Sequence, residues 1–184
     1  MKIFRSTLCT RIVVASALTL LAACTPALDW REIHGSAAPF AVLLPAKPAT
    51  MARKIDLGGT PLMMTMTAAE VDGVTFAVGS VELPDAAKAQ LAVKAMKTAL
   101  ISNIHGTVLH EKATDSTSTK GGAMQTNSSI DLEAVGAPAN GRPRLLVARF
   151  VAHNQYAYQV LVTGSQKAVL RDQVDTFMTS FKVE

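Results

Sequence analysis

The chain has 184 residues, 18 Lys and Arg against 14 Asp and Glu, a formal charge of +4 and a mean hydropathy of +0.25. The N-terminus inflates both values: Lys2, Arg5 and Arg11 are the only charged residues before position 24, so the remaining 161 residues carry 15 basic and 14 acidic groups. A near-neutral chain of that length excludes a nucleic-acid surface driven by net charge, and it suffices for one hydrophobic core without disulfide staples.

Taken in chain order, those three cations form a positive n-region, and 12–21 (IVVASALTLL) is a ten-residue apolar run followed by small residues. This is the organisation of a secretory signal, 1–23, cleaved from the mature protein. A spanning helix needs roughly 20 apolar residues, so the run is too short to remain as an anchor. Leu21-Ala22-Ala23-Cys24 closes it and resembles the lipobox of bacterial lipoproteins. The resemblance implies that the Cys24 thiol receives a diacylglyceryl group, that the chain is cut before it and that the new amine is acylated. Acyl chains contribute about 0.8 kcal/mol per buried CH₂, and two or three together hold a domain firmly at a bilayer. Thr25 is not the Asp that retains such proteins at the inner membrane, so the resemblance points to the periplasmic face of the outer membrane. Cys9 leaves with the signal and Cys24 becomes a thioether. The mature chain then has no pair of thiols for a disulfide, even in an oxidising compartment.

Residues 24–38 read as a short tether punctuated by Pro26, Gly35 and Ser36, with Trp30 folding it back onto a single globular domain, 39–184. The run 40–44 is a short buried strand stopped by Pro45. Runs 51–57 and 62–68 flank Gly58-Gly59, a hairpin signal, and Val74, Phe76 and Val78 alternate after an Asp72-Gly73 turn. Together these four read as an antiparallel meander with one face buried.

The period changes after Pro84. Ala89, Val93, Met96, Leu100 and Ile104 recur at three and four while Lys88, Lys94 and Lys97 fall off the stripe, so 86–104 is an amphipathic helix with Asp85 as N-cap and Gly106 as its stop. Weaker strands, 108–113 and 123–133, are expected around a polar Ser/Thr/Gly loop at 114–122, with a Gly/Pro-rich loop over 134–143. Two clear strands, 145–152 and 155–163, meet at a tight turn at His153-Asn154, and Tyr156, Tyr158, Val160 and Val162 share a face. Ser165 is placed to cap a last helix whose stripe is Leu170, Val174, Phe177 and Phe181.

Strands, a long helix, more strands and a last helix, without regular alternation, give an α+β fold: an antiparallel β-sheet flanked by helices. The segments FAVLLPAKP (40–48), DGVTFAVGSVELP and YAYQVLVTG…VDTFMTSFK (156–182) resemble periplasmic and lipoprotein members of the PsbP-like fold group, over about 38–184. The resemblance implies helices on both sides of the sheet, an α/β/α sandwich, and accessory or binding roles in membrane-associated assemblies. Its motifs are structural, so no binding residue is carried over.

No G-x-S-x-G, P-loop or dinucleotide fingerprint occurs, and His34, His105, His110 and His153 show no zinc-site spacing. The expected catalytic, cofactor and resident-metal residues are therefore none, and the only site residue read from the sequence is Cys24, the lipidation site and membrane attachment. The chain reads as a non-enzymatic accessory or binding module for another envelope component, with no nucleic-acid partner. Two alternatives stand beside this. Met64 and Met66 project from one strand face as soft ligands for Cu(I), with His110 or Met124 as conceivable further ligands; as plain core they would fill irregular space. A hydrolase would need a site assembled in space and invisible to motif reading. Arg142, Arg144 and Arg149 are either an anion-contacting patch or a solvated strand edge.

Overall fold

A computed structural model describes residues 28–57, 59–120, 123–139 and 141–184, without the side chains of 116–126. The signal peptide, the lipobox and Cys24 lie outside the described residues. Within them, β1 (Arg31–His34), β2 (Phe40–Leu44), β3 (Ala49–Leu57), β4 (Thr60–Val71) and β5 (Val74–Glu82) precede α1 (Ala86–Asn103). Then come β6 (Thr107–Lys120), β7 (Ala123–Gly136), β8 (Arg144–His153), β9 (Tyr156–Gly164), α2 (Arg171–Ser180) and β10 (Lys182–Val183).

Seven strands form one antiparallel sheet in the order β3-β4-β5-β9-β8-β7-β6, and β1-β2-β10 form a second, small sheet. Both α1 and α2 cover the large sheet, on opposite faces, so the expected α+β sandwich is the observed one. The small sheet shares the α2 layer. This corrects the meander reading: β2 leaves the large sheet and pairs with β1 and β10, because Pro45 ends it and all but one of its residues are buried in the outer layer. The distal part of the segment expected to be a tether supplies β1. Trp30 packs edge-on to Phe76 at 6.3 Å between ring centroids, as its tether-folding role requires.

The two faces of the large sheet carry different cores. Beneath α2 and the small sheet, Phe40, Phe76, Tyr158, Phe177 and Phe181 pack together, with neighbouring centroids 5.5 to 6.1 Å apart. Buried Tyr158 Oη donates to Pro39 O at 2.9 Å, which satisfies the polar end of an otherwise apolar side chain. Beneath α1 lie smaller residues, Ala77, Ala148, Ala152 and Ala157 with Phe150 and Leu161, against Ala89, Ala92, Val93 and Met96 of the helix. Being covered on both sides, β5 and β9 are almost wholly buried, which is why their sequences read as continuous apolar runs.

Asp85 caps α1 as expected, its Oδ1 accepting from Lys88 N–H at 2.8 Å. The chain leaves through His105 at φ 46, and Gly106 N–H donates to Ile101 O at 2.9 Å, so the left-handed residue is the histidine before the glycine. Three expectations need correcting. The polar stretch 114–122 is mostly strand, since β6 and β7 run as one long hairpin; its many threonines and serines suit a ladder as well as a loop. Ser165 does not cap α2: its carbonyl accepts from Ala168 and Val169 in a preceding turn, the helix starts at Arg171, Leu170 is exposed, and Phe181 lies just beyond the end. The β8–β9 turn is Asn154-Gln155, with Asn154 at φ 51.

Candidate functional site

Helix α1 crosses the sheet over β9, β8 and β7, touching β3 only lightly. The half of that face built from β3, β4 and β5 is therefore left partly bare. The first cross-strand row there is small: Ala49, Ala68 and Ala77, then Leu161. The next is Met51, Met66, Gly79 and Gln159. Alanine and glycine opposite a helix leave a hollow. A groove of about 670 Å³ results, walled by Met96, Ala99, Leu100 and Asn103 of α1, with Ile55, Asp56 and Leu57 at its far rim.

Met51, Met64, Met66 and Met96 all line this groove, four of the eight methionines in the chain. Gly79 leaves a gap that two of them border. A Cβ on Gly79 would lie 2.5 Å from Met66 Sδ and 3.4 Å from Met64 Sδ, so the Met66 thioether occupies the space a side chain would take and the Met64 thioether borders it. Gly79 has no left-handed backbone that would require glycine, so its role is room. Glycine inside a strand commonly marks such a close approach. Met51 is 65% exposed at the mouth, whereas Met96 is buried at the inner wall. Gln159 is 8% exposed, and its amide makes no hydrogen bond among the described residues, so a polar group faces a mainly apolar groove.

The structure does not bring His110 or Met124 to this place. His110 lies on β6 opposite Glu133, at the other edge of the sheet, and Met124 belongs to β7, four strands from β4. At about 4.8 Å per strand that is roughly 19 Å. Met63 points to the opposite face from Met64 and is 56% exposed. Sequence reasoning missed Met51, Met96, Gly79 and Gln159 as neighbours of the pair. Met96 carried only a helix-stripe signal, and the register that aligns the other three was not legible.

Several charged groups elsewhere are engaged in structural contacts. Arg149 Nε donates to Asp131 Oδ1 at 2.6 Å and its Nη1 to Met178 O at 3.1 Å; Arg144 Nη2 donates to Thr163 O at 3.1 Å. These two therefore do not form a free anion patch. Arg171 makes two hydrogen bonds to Glu133, at 2.6 and 2.9 Å. That hydrogen bonding, with the guanidinium charge and against partial desolvation, holds the Glu133 carboxyl below its usual value, and His110 adds to the effect. Burial pushes the Tyr158 phenol well above its ordinary range, helped by Tyr156. Among the described residues no three His, Cys, Asp or Glu side chains group to hold a metal, and no helix is long and apolar enough to cross a membrane.

No protein-family model matches the chain, and no curated protein matches it in sequence. Among solved structures it is similar to the solution structure of cyanobacterial PsbP (CyanoP) from Synechocystis sp. PCC 6803, at a TM-score of 0.52 and 13% identity, over 89% of this chain and 99% of that one. At that identity the likeness speaks for the fold alone: the antiparallel sheet between two helical layers is the PsbP-like one.

Proposed function

We propose that this chain is a lipoprotein held through Cys24 at the periplasmic face of the outer membrane, where its PsbP-like domain serves as a non-catalytic module that binds another envelope component. The observation that carries the reading is the groove between α1 and β3–β5, with Gln159, a largely buried residue whose amide makes no hydrogen bond among the described residues, in its lining. A concave, mainly apolar site with a few placed polar groups is the usual form of a binding site. Leu21-Ala22-Ala23-Cys24 supports the anchor, and the lack of a catalytic motif favours a binding module over a hydrolase.

The test is a photocrosslinking residue at the exposed mouth position Met51, in the protein expressed in its own envelope. One dominant adduct, lost when the groove is filled by Ala68→Trp, is the expected result. Adducts only to bulk lipid and porin would refute a dedicated component. Fractionation of Cys24→Ser reads the anchor separately: the variant should move to the soluble periplasm, and retention in the outer membrane would refute lipid attachment.

A further inference from the structure

We propose that the groove floor is a thioether site for a soft monovalent cation, Cu(I), with Met64, Met66 and Met96 as ligands and Met51 as an outer fourth. This names a ligand for the groove and rests on the groove being the working site of the domain.

Leucine or isoleucine would fill a strand–helix interface with fewer rotamers, and methionine specifies a core poorly. Yet half of the methionines in the chain are gathered around one hollow. The hollow also has a gap that two sulfurs border: Gly79, over which Met66 Sδ lies and beside which Met64 Sδ stands in van der Waals range. Metal–sulfur bonds of about 2.3 Å require both sulfurs to close on one ion, which flexible methionine side chains bordering the same gap can do. Met96 approaches from the facing helix, giving a third donor from a different direction.

The neighbours decide which ion. No histidine or cysteine lines the groove; its charged lining residues are one carboxylate, Asp56, and one guanidinium, Arg53, which stands opposite Met64 on the neighbouring strand. Zinc, calcium and magnesium take imidazole, thiolate or oxygen ligands, whereas neutral thioethers select Cu(I). Since no thioether titrates, the affinity of the protein should not change between about pH 5 and 8, unlike a histidine site.

The experiment is anaerobic competition of the full chain, purified in detergent, against a chromophoric Cu(I) chelator of known affinity. One equivalent should be withdrawn. Met64→Leu and Met66→Leu should each weaken binding at least tenfold, and Gly79→Ala, whose Cβ displaces Met66 Sδ, should do likewise. Met63→Leu, on the opposite face, should change nothing. Labelled methionine methyl resonances, followed with Ag(I) as a redox-silent substitute, should move for Met64, Met66 and Met96 and stay fixed for Met63 and Met178. Absence of competition by the folded wild type, equal loss in Met63→Leu, or retained affinity in Met64→Leu with Met66→Leu would overturn the proposal. None of these outcomes bears on the Met51 crosslink, so the groove can fail as a copper site and still stand as a binding site.

Discussion

Gly79 sets a balance between strand propensity and room. Alanine there gains backbone order, typically 0.5 to 1 kcal/mol over glycine in an element interior. It also pushes Met66 Sδ out of contact, but the obstacle is the far end of a flexible side chain rather than backbone. Gly79→Ala should therefore shift the urea-derived stability by less than about 1 kcal/mol in either direction. A loss several times larger would mean that the methionines cannot move. Glu133 gives a prediction in pH. Its folded-state pKa is depressed from 4.5 by Arg171, so its contribution is complete above that ordinary value and is lost as pH falls through the lower folded value. The Arg171 side chain is more than half exposed, which limits the pair to about 1 kcal/mol or less. In Glu133→Gln, urea midpoints measured from about pH 3 to 7 should fall less steeply on the acid side than in the wild type. Parallel profiles would show the pair to be energetically silent.

At the scale of elements, α1 is both the cover of one core and a wall of the groove, so its N-cap affects both. Asp85→Ala removes the hydrogen bond to Lys88 N–H and should cost about 1 kcal/mol in denaturant titrations. Elements with a single strong period were legible from sequence. The alternation of β4 and β5, the stripe and cap of α1 and the apolar runs of β8 and β9 all stand at or close to their expected places. What was not legible depended on partners. Nothing within 40–44 says that β2 pairs with β1 and the C-terminal β10, since a buried strand looks alike in either sheet. The Ser/Thr stretch of β6 carries loop composition, and only its register against β7 makes it a strand. The candidate site was half visible for the same reason. Two methionines two residues apart declare a shared face, but their meeting with Gly79, Gln159 and Met96 is a property of cross-strand register and helix placement.

For the molecule as a whole, the two cores on either side of one sheet should unfold together, because β5 and β9 belong to both. Trp30, the only tryptophan in the chain, sits at the margin of the aromatic core, on the segment leading into β1. It reports on the small sheet while far-ultraviolet circular dichroism reports mainly on the large one. Coincident denaturant transitions by the two probes are expected for a single cooperative unit. An earlier tryptophan transition would show that β1 detaches first.

The place of β1 also governs how the domain would bear a pull from an anchor. Load arriving from the N-terminus meets Arg31, opposite Leu44, and the rest of the chain departs from that same end of the hairpin through Pro45. The pairs Arg31↔Leu44, Glu32↔Leu43, Ile33↔Val42 and His34↔Ala41 are then opened in succession, as a zip, rather than strained together in shear. Peeling residues 28–39 would add about 40 Å of extended chain while every rung of the seven-stranded sheet stays closed. A domain fastened in this way carries its own slack.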